Sequence, residues 1–325
     1  MKTTNLFGEL ESVKSSSRVN DPYQAITNKI IEAMQQGIIP WQRPWSGGNG
    51  VGYVSHSTGR SYSFLNAMLL MIAGKEPGEF ITFKQCKEAG GHVKKGAKST
   101  TIYFWKRLHF VEDKKDENGN TILDENGDPE KIERNPICLK GYQVFALSDT
   151  EGVNPKYVTS TEDSDDTAPD PVKAAEDIVN AYYQEPGAPV LNVVPSDRAF
   201  YSPTSDSVTV PERKQYKEIA EYYSTLFHET IHSTGHKSRL DRFKTGAAAA
   251  FGSNDYSREE LVAEIGSAYL VNRSGIDCEK AFNNSVAYLQ GWIRHLTDKP
   301  REFATAAAQA EKAARWILGE RTDNK

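Results

Sequence analysis

One short segment restricts the fold of this chain more than any other: His228 and His232 lie four residues apart, with Glu229 directly after the first histidine. The apolar residues around this segment recur with helical spacing and predict one long α-helix over residues 215–234. On a helix, a separation of four places both imidazoles on one face, within reach of one tetrahedral metal ion. Because buried polar side chains need partners, the segment predicts a metal site.

Glu229 is positioned to act beside such an ion. Its carboxylate can face the open coordination position, hold the attacking water and accept a proton, so we predict that Glu229 is the catalytic base of a hydrolase. Two imidazoles and a carboxylate favour Zn²⁺, with another divalent cation such as Mn²⁺ as the alternative. The five-residue pattern is short and also occurs in helices that bind nothing, so a third ligand is needed to support the prediction.

Two glutamates downstream, Glu260 and Glu264, are the candidates for that ligand. The pattern resembles that of zincins, metallopeptidases whose third ligand is a glutamate on a following helix and in which an aspartate four residues later bonds a ligand histidine. This resemblance implies that Glu260 is the ligand and that Glu264 orients an imidazole. Because Glu264 is longer than the aspartate of the family pattern, the two roles can be exchanged. Alternatively, Glu260 forms a capping box with Ser257.

His236 and Tyr256 are two further candidates near the site. Metzincins carry a third histidine in the pattern HExxHxxGxxH; here Gly235 matches, but Ser238 occupies the position of the last histidine. We therefore predict that His236 lines the cleft or has a structural role rather than binding metal. Tyr256 precedes the helix of the third ligand, where it either stabilises an oxyanion or belongs to the core.

The charge of the chain is unevenly distributed, because residues 1–110 hold 14 Lys and Arg against 7 Asp and Glu although the whole chain has a net charge of −5. A basic part of an acidic chain favours a polyanionic partner. Basic and aromatic side chains together are typical of surfaces that bind single-stranded DNA. The predicted DNA-binding residues are Trp41, Arg43, Trp45, Lys84, Lys87, Lys94, Lys95, Lys98, Tyr103, Trp105, Lys106 and Arg107. The alternative is a solvated basic face over an aromatic core, since a strand would bury Tyr103 and Trp105, or Phe104, but not all three.

The order of predicted elements indicates an α+β protein with two domains. Residues 1–158 form the basic domain, whose first 20 residues are polar and predicted to be disordered. Residues 159–171 form an acidic linker, and residues 172–325 form the domain with the histidines. No apolar run reaches the roughly 20 residues of a membrane span, and the start does not have the pattern of a signal peptide. We therefore predict a cytoplasmic protein without a membrane partner.

Taken together, several motifs resemble those of the ArdC-type antirestriction proteins of conjugative plasmids, over nearly the whole chain from Asp21. These motifs are Asp21-Pro22-Tyr23, Pro40-Trp41 with Pro44-Trp45, Gly90-Gly91 to Lys98, Phe227-His228-Glu229 with His232 to His236, and Glu259 to Glu264. The resemblance implies an N-terminal single-stranded-DNA-binding domain, related to domains fused to plasmid primases, and a C-terminal zincin-like metallopeptidase domain. It also implies protection of incoming plasmid DNA from host restriction, with a host restriction enzyme or another protein as the substrate.

Two other functions are compatible with the same residues. One is a DNA-binding shield in which the zincin fold is catalytically idle, although a structural metal site has no use for Glu229. The other is a metal-dependent nuclease, but nucleases usually gather carboxylates around hard cations rather than two histidines.

Overall fold

The computed structural model describes residues 21–42, 52–157, 170–243, 254–277 and 286–320, with side chains from residue 257 onward in the fourth range. The predictions for residues 1–20, for Arg43 and Trp45, for most of the linker and for the side chain of Tyr256 lie outside these residues. Helices and strands are both present, and the predicted α+β class is confirmed. None of the described helices combines the length and apolar character that crossing a bilayer requires.

The N-terminal part, residues 21–157, is built on a four-stranded sheet in the order β1-β2-β7-β4. Strands β1 and β2 are parallel, and the other neighbours are antiparallel. Its elements are α1 Pro22–Gln35, β1 Tyr53–Ser55, α2 Phe64–Ile72, β2 Gly78–Ile81, α3 Phe83–Glu88, β3 His92–Val93, β4 Thr100–Arg107, β5 Phe110–Asp113, β6 Lys131–Arg134, β7 Ile137–Ala146 and β8 Thr150–Glu151.

The outer edge of β4 is held by helix α2. The buried side chain of Asn66 accepts a hydrogen bond from the backbone N–H of Tyr103 and donates one to its carbonyl, each at 2.8 Å. Since Tyr103 points these two groups away from β7, Asn66 supplies the partners that a further strand would otherwise provide.

The C-terminal part begins with a helix whose N-cap is Asp170 and whose first helical position is Pro171, the last residue of the predicted linker. A three-stranded sheet in the order β10-β11-β9 lies beside the helices. The elements are α4 Pro171–Tyr183, β9 Val190–Val194, β10 Phe200–Ser202, β11 Ser207–Pro211, α5 Ile219–Ser233, α6 Asn254–Ser274, α7 Val286–Asp298 and α8 Glu302–Ile317.

The two parts share one hydrophobic core. Trp41, which follows α1, packs against Trp292 of α7 and Phe303 of α8, with ring centroids 6.4 and 5.7 Å apart. Phe64 of α2 contacts Tyr269 of α6 at 5.5 Å. The N-terminal helices thus rest on the helices of the C-terminal part, an arrangement that the acidic composition of the linker did not predict.

Candidate functional site

Helices α5 and α6 bring three predicted metal ligands together. His228 Nε2 lies 3.2 Å from His232 Nε2, and each of these nitrogens lies 3.5 Å from a carboxylate oxygen of Glu260. One ligand atom from each residue lies within 4.8 Å of the others. Two imidazoles and one carboxylate converging from two helices fit a tetrahedral divalent cation that keeps one position open.

Close packing of α6 on α5 places Glu260 beside the histidines. The apolar side of α5, with Phe227 and Ile231 fully buried, faces the core. Gly266 of α6 lies directly against Ile231, because a Cβ at this position would come within 2.7 Å of Ile231 Cδ1. The absence of a side chain at Gly266 therefore allows the two helices to approach each other.

Glu259, the residue before the predicted third ligand, contacts one of the imidazoles. Its Oε1 lies 3.3 Å from His232 Nδ1, the ring nitrogen that faces away from Glu260. Arg242 donates two hydrogen bonds to the same carboxylate, at 2.6 and 3.0 Å. The guanidinium also binds Thr234 Oγ1 and the Ile231 carbonyl near the end of α5. Arg242 thus joins the end of the histidine helix to the start of α6.

In this arrangement, Glu259 makes a contact of the kind that was predicted for Glu264. The sequence pattern assigned the orientation of an imidazole to Glu264. In the structure, Glu259 lies within hydrogen-bonding distance of His232, one of the two predicted ligand histidines, without belonging to the ligand set. Glu264 lies close to Tyr288: burial and then the Glu264 carboxylate raise the pKa of that tyrosine. Glu264 is five residues from Glu259 and points about 140° away from it around the axis of α6.

The carboxylates make the imidazoles strongly basic. Burial alone would lower the pKa of His232, but its hydrogen bonds to Glu259 and Glu260 raise that pKa to about 10. Burial lowers the pKa of His228, but Glu260, Glu229 and Glu264 together outweigh burial, so this pKa is also raised. Conversely, burial would raise the pKa of Glu260, but the two histidines hold that pKa well below its ordinary range. The cluster is therefore an anionic environment that favours cations.

Glu229 follows His228 on α5 and is half-buried. Among the described residues, none forms a hydrogen bond with its carboxylate, which leaves both oxygens available. Its charge contributes, after burial, to a raised pKa of Tyr183, whose hydroxyl is hydrogen-bonded to Thr230. Glu229 thus lies within electrostatic range of the cluster without being one of its ligands.

His236 does not join the ligand cluster. Its Nδ1 lies 2.7 Å from Ser238 Oγ and 3.9 Å from Asp206 of the β10–β11 turn. The same aspartate pairs with the buried guanidinium of Arg239, which also donates to the Gly187 carbonyl. His236 therefore belongs to a loop that fastens the small sheet to the end of α5, in line with its predicted structural role.

Two of the predicted DNA-binding aromatics need correction. Trp41 is fully buried between α7 and α8, and Tyr103 is only 8% exposed, so neither ring can stack on a base in this structure. The reason is tertiary packing: Trp292 and Phe303, some 250 residues later in the chain, cover Trp41. Trp105, in contrast, is 43% exposed and touches Tyr23 at its edge.

The predicted basic residues that the structure describes are all exposed. Some have local partners: Lys84 lies 3.7 Å from Glu88, and Lys94 donates to the Ser148 carbonyl. The exposed set comprises Lys84, Lys87, Lys94, Lys95, Lys98, Lys106 and Arg107. Phe104, which the alternation of strand β4 placed on the face opposite Tyr103, is 44% exposed. Tyr142, at 36% exposed, is a ring that sequence analysis left out.

Comparison with known proteins agrees with both halves of this description. Residues 20–145 match the family described as the N-terminal domain of anti-restriction factor ArdC. Residues 177–309 match the family described as zincin-like metallopeptidase. Among curated proteins, two DNA primases TraC from Escherichia coli are each 35% identical, over 96% and 93% of this chain. The chain spans only 21% and 27% of the length of these two relatives. An uncharacterized protein of Sinorhizobium fredii is 26% identical, with 93% of each chain covered.

Solved structures extend the similarity to the whole fold. The metal-free crystal structure of the antirestriction protein ArdC from plasmid R388 has 31% sequence identity and a TM-score of 0.63, covering 92% of this chain and 97% of the other. The Mn(II)-bound structure of that protein has 31% identity and a TM-score of 0.64, covering 94% and 100%. The two domain matches, in this order and over nearly the full length of a solved relative, show that the chain belongs to the family of ArdC-type antirestriction proteins.

Proposed function

We propose that this protein binds single-stranded DNA in the cytoplasm, protects incoming plasmid DNA from restriction, and hydrolyses a protein substrate at a divalent-metal centre. The observation that carries the hydrolytic part is the convergence of His228, His232 and Glu260 with Glu229 left free of the ligand set. The Mn(II)-bound solved relative supports a divalent ion, and the ligand set suits Zn²⁺ equally well.

Each residue of the site would have a separate role in the reaction. His228, His232 and Glu260 hold the ion, and Glu259 fixes the ring orientation of His232. The bound ion supplies Lewis acidity, which polarises a peptide carbonyl and makes water more acidic. Glu229 accepts the proton of the attacking water at a carboxylate oxygen and passes it to the departing amine.

Glu229→Gln tests this proposal, because the substitution removes the proton acceptor while the three ligands stay in place. We expect the variant to retain the metal, measured by elemental analysis, and to lose cleavage of a protein substrate such as casein. Glu221→Gln, an exposed position on the same helix, serves as the matched control and should behave like the wild type.

A restriction-protection assay with the same variants separates the possible roles. Loss of protection in Glu229→Gln would link protection to peptidase chemistry. Full protection by Glu229→Gln, together with absence of cleavage by the wild type, would instead favour the DNA-binding shield. Cleavage of DNA by the wild type would favour the nuclease.

A further inference from the structure

One face of the β4–β7 strand pair carries aromatic and basic side chains together. In an antiparallel pair, residues directly opposite each other point to the same face, and every second residue along a strand does so too. Phe104 is opposite Lys140, and Lys106 is opposite Cys138. Tyr142 is opposite the buried Ile102 and therefore belongs to the same face. We call the exposed part of this face, formed by Phe104, Lys106, Lys140 and Tyr142, the aromatic-basic face.

The rings on this face form a connected surface. The Phe104 and Tyr142 centroids lie 5.7 Å apart, and Tyr62, next to β1, lies 6.3 Å from Phe104. Phe104 is 44% exposed and Tyr142 36% exposed, whereas Tyr62 is half-buried beneath them. Exposed rings of this size on a sheet face cost free energy in water unless something covers them. Lys140 Nζ already lies over the Tyr142 ring at 5.6 Å, which shows that the ring face is accessible to a cation.

The charge on this face is uncompensated. Within the described part of the chain, neither Lys106 nor Lys140 forms an ion pair, and no acidic residue occurs on β4 or β7. The neighbouring β5–β6 hairpin differs, because three of its bases are each paired with an acid and its strands carry acidic residues. These pairs are Lys114–Glu130, Lys131–Asp113 and Arg134–Glu112. The contrast indicates an anionic partner for the aromatic-basic face and none for the hairpin.

We infer that the aromatic-basic face is the surface on which single-stranded DNA stacks. This inference rests on the proposed function and adds the binding surface to it. Unpaired bases offer flat rings to Phe104 and Tyr142, while the phosphates between them offer negative charge to Lys106 and Lys140. Duplex DNA lacks the first of these contacts because its bases are already stacked on one another. We therefore expect the protein to bind duplex DNA more weakly than single-stranded DNA.

The test measures binding of a fluorescently labelled oligothymidine to the full chain by anisotropy, over a series of salt concentrations. Phe104→Leu and Tyr142→Leu should each weaken binding by about 5- to 100-fold and leave the salt slope unchanged, since stacking does not release counterions. Phe83→Leu is the matched control, because Phe83 is 62% exposed at the start of α3 and belongs to neither β4 nor β7. This control should bind like the wild type.

The lysines test the electrostatic part separately. Lys106→Gln with Lys140→Gln should lower the magnitude of the salt slope by about 1.4, since each phosphate contact on a single strand contributes about 0.7. Lys84→Gln with Lys87→Gln removes the same charge from α3, and we expect a smaller change in slope. Equal slopes for the two double variants would contradict the placement of the phosphates on this face.

A second measurement does not depend on substitution. Ultraviolet cross-linking of the wild-type chain to bromodeoxyuridine oligonucleotides, followed by mass spectrometry, should modify peptides that contain Phe104 or Tyr142. Cross-links confined to other peptides, or wild-type affinity in Phe104→Leu and Tyr142→Leu, would overturn the inference while leaving DNA binding intact. Absence of wild-type binding at low salt would instead overturn the proposed function itself.

Discussion

Replacing Glu259 by Gln tests whether the structure or the sequence pattern identifies the residue that orients the metal-binding histidine. Gln keeps the size of the side chain but removes the charge that Arg242 and His232 share. Carboxylates that orient a metal-binding histidine contribute roughly 10- to 100-fold to metal affinity, which corresponds to about 1.4–2.7 kcal/mol. We therefore expect Glu259→Gln to bind Zn²⁺ or Mn²⁺ 10- to 100-fold more weakly than the wild type.

The same substitution should also destabilise the fold. The Arg242 side chain is 7% exposed and that of Glu259 is 15% exposed, so the pair is largely shielded from water. Removing one partner of such a pair leaves a buried charge and costs about 3 kcal/mol. Arg242 keeps its bonds to Thr234 and the Ile231 carbonyl, which limits the loss.

The assay is a chelator competition at fixed pH, combined with thermal unfolding of the metal-free protein. Glu264→Gln is the matched control, because it removes the same charge from the position that the sequence pattern favoured. Wild-type metal affinity in Glu259→Gln together with weakened binding in Glu264→Gln would refute our assignment and return the orienting role to Glu264.

Three further predictions concern other parts of the molecule. Glu260→Gln removes a proposed direct ligand and should lose more metal than Glu259→Gln, as measured by elemental analysis after dialysis. Burial would raise the pKa of Asp206, but hydrogen bonds from Arg239 and Tyr201 lower it. The ionised carboxylate therefore stabilises the folded state above the unfolded pKa of about 4, and this stability is lost as the pH falls through the lower pKa of the folded state. Thermal melts between pH 3 and 7 should therefore show a steeper acid loss for the wild type than for Asp206→Asn. Asn66→Ala leaves two buried backbone groups without partners and should lower the free energy of unfolding by about 2–4 kcal/mol in a denaturant titration.

Local spacing allowed the ligand helix to be predicted from the sequence. The separation of His228 and His232 is a property of one helix, so it does not depend on the rest of the fold. Glu260 could be named because it belongs to a known pattern, and the structure places it against both imidazoles. Glu259 was missed because neighbouring helical residues point about 100° apart, and only the packing of α6 on α5 decides which of them faces the histidine.

The DNA-binding residues were harder to predict because exposure is a tertiary property. Trp41 and Trp105 occur in similar basic and aromatic surroundings in the sequence, yet one is covered by α7 and α8 and the other is half-exposed. No local signal distinguishes the two. Strand alternation did predict that Tyr103 and Phe104 lie on opposite faces, although it could not tell which face is covered.

The N-terminal helices share one hydrophobic core with α7 and α8. This shared core determines whether a part of the chain can fold without the rest. A gene segment that encodes only residues 20–145 would leave Trp41 and Phe64 without the rings of Trp292 and Tyr269 that cover them. We expect such a fragment to expose apolar side chains that the C-terminal helices cover in the full chain. The TraC relatives agree with this view, because their similarity runs across both halves within a much longer chain. The two parts of this chain are therefore expected to unfold together, as a single cooperative unit.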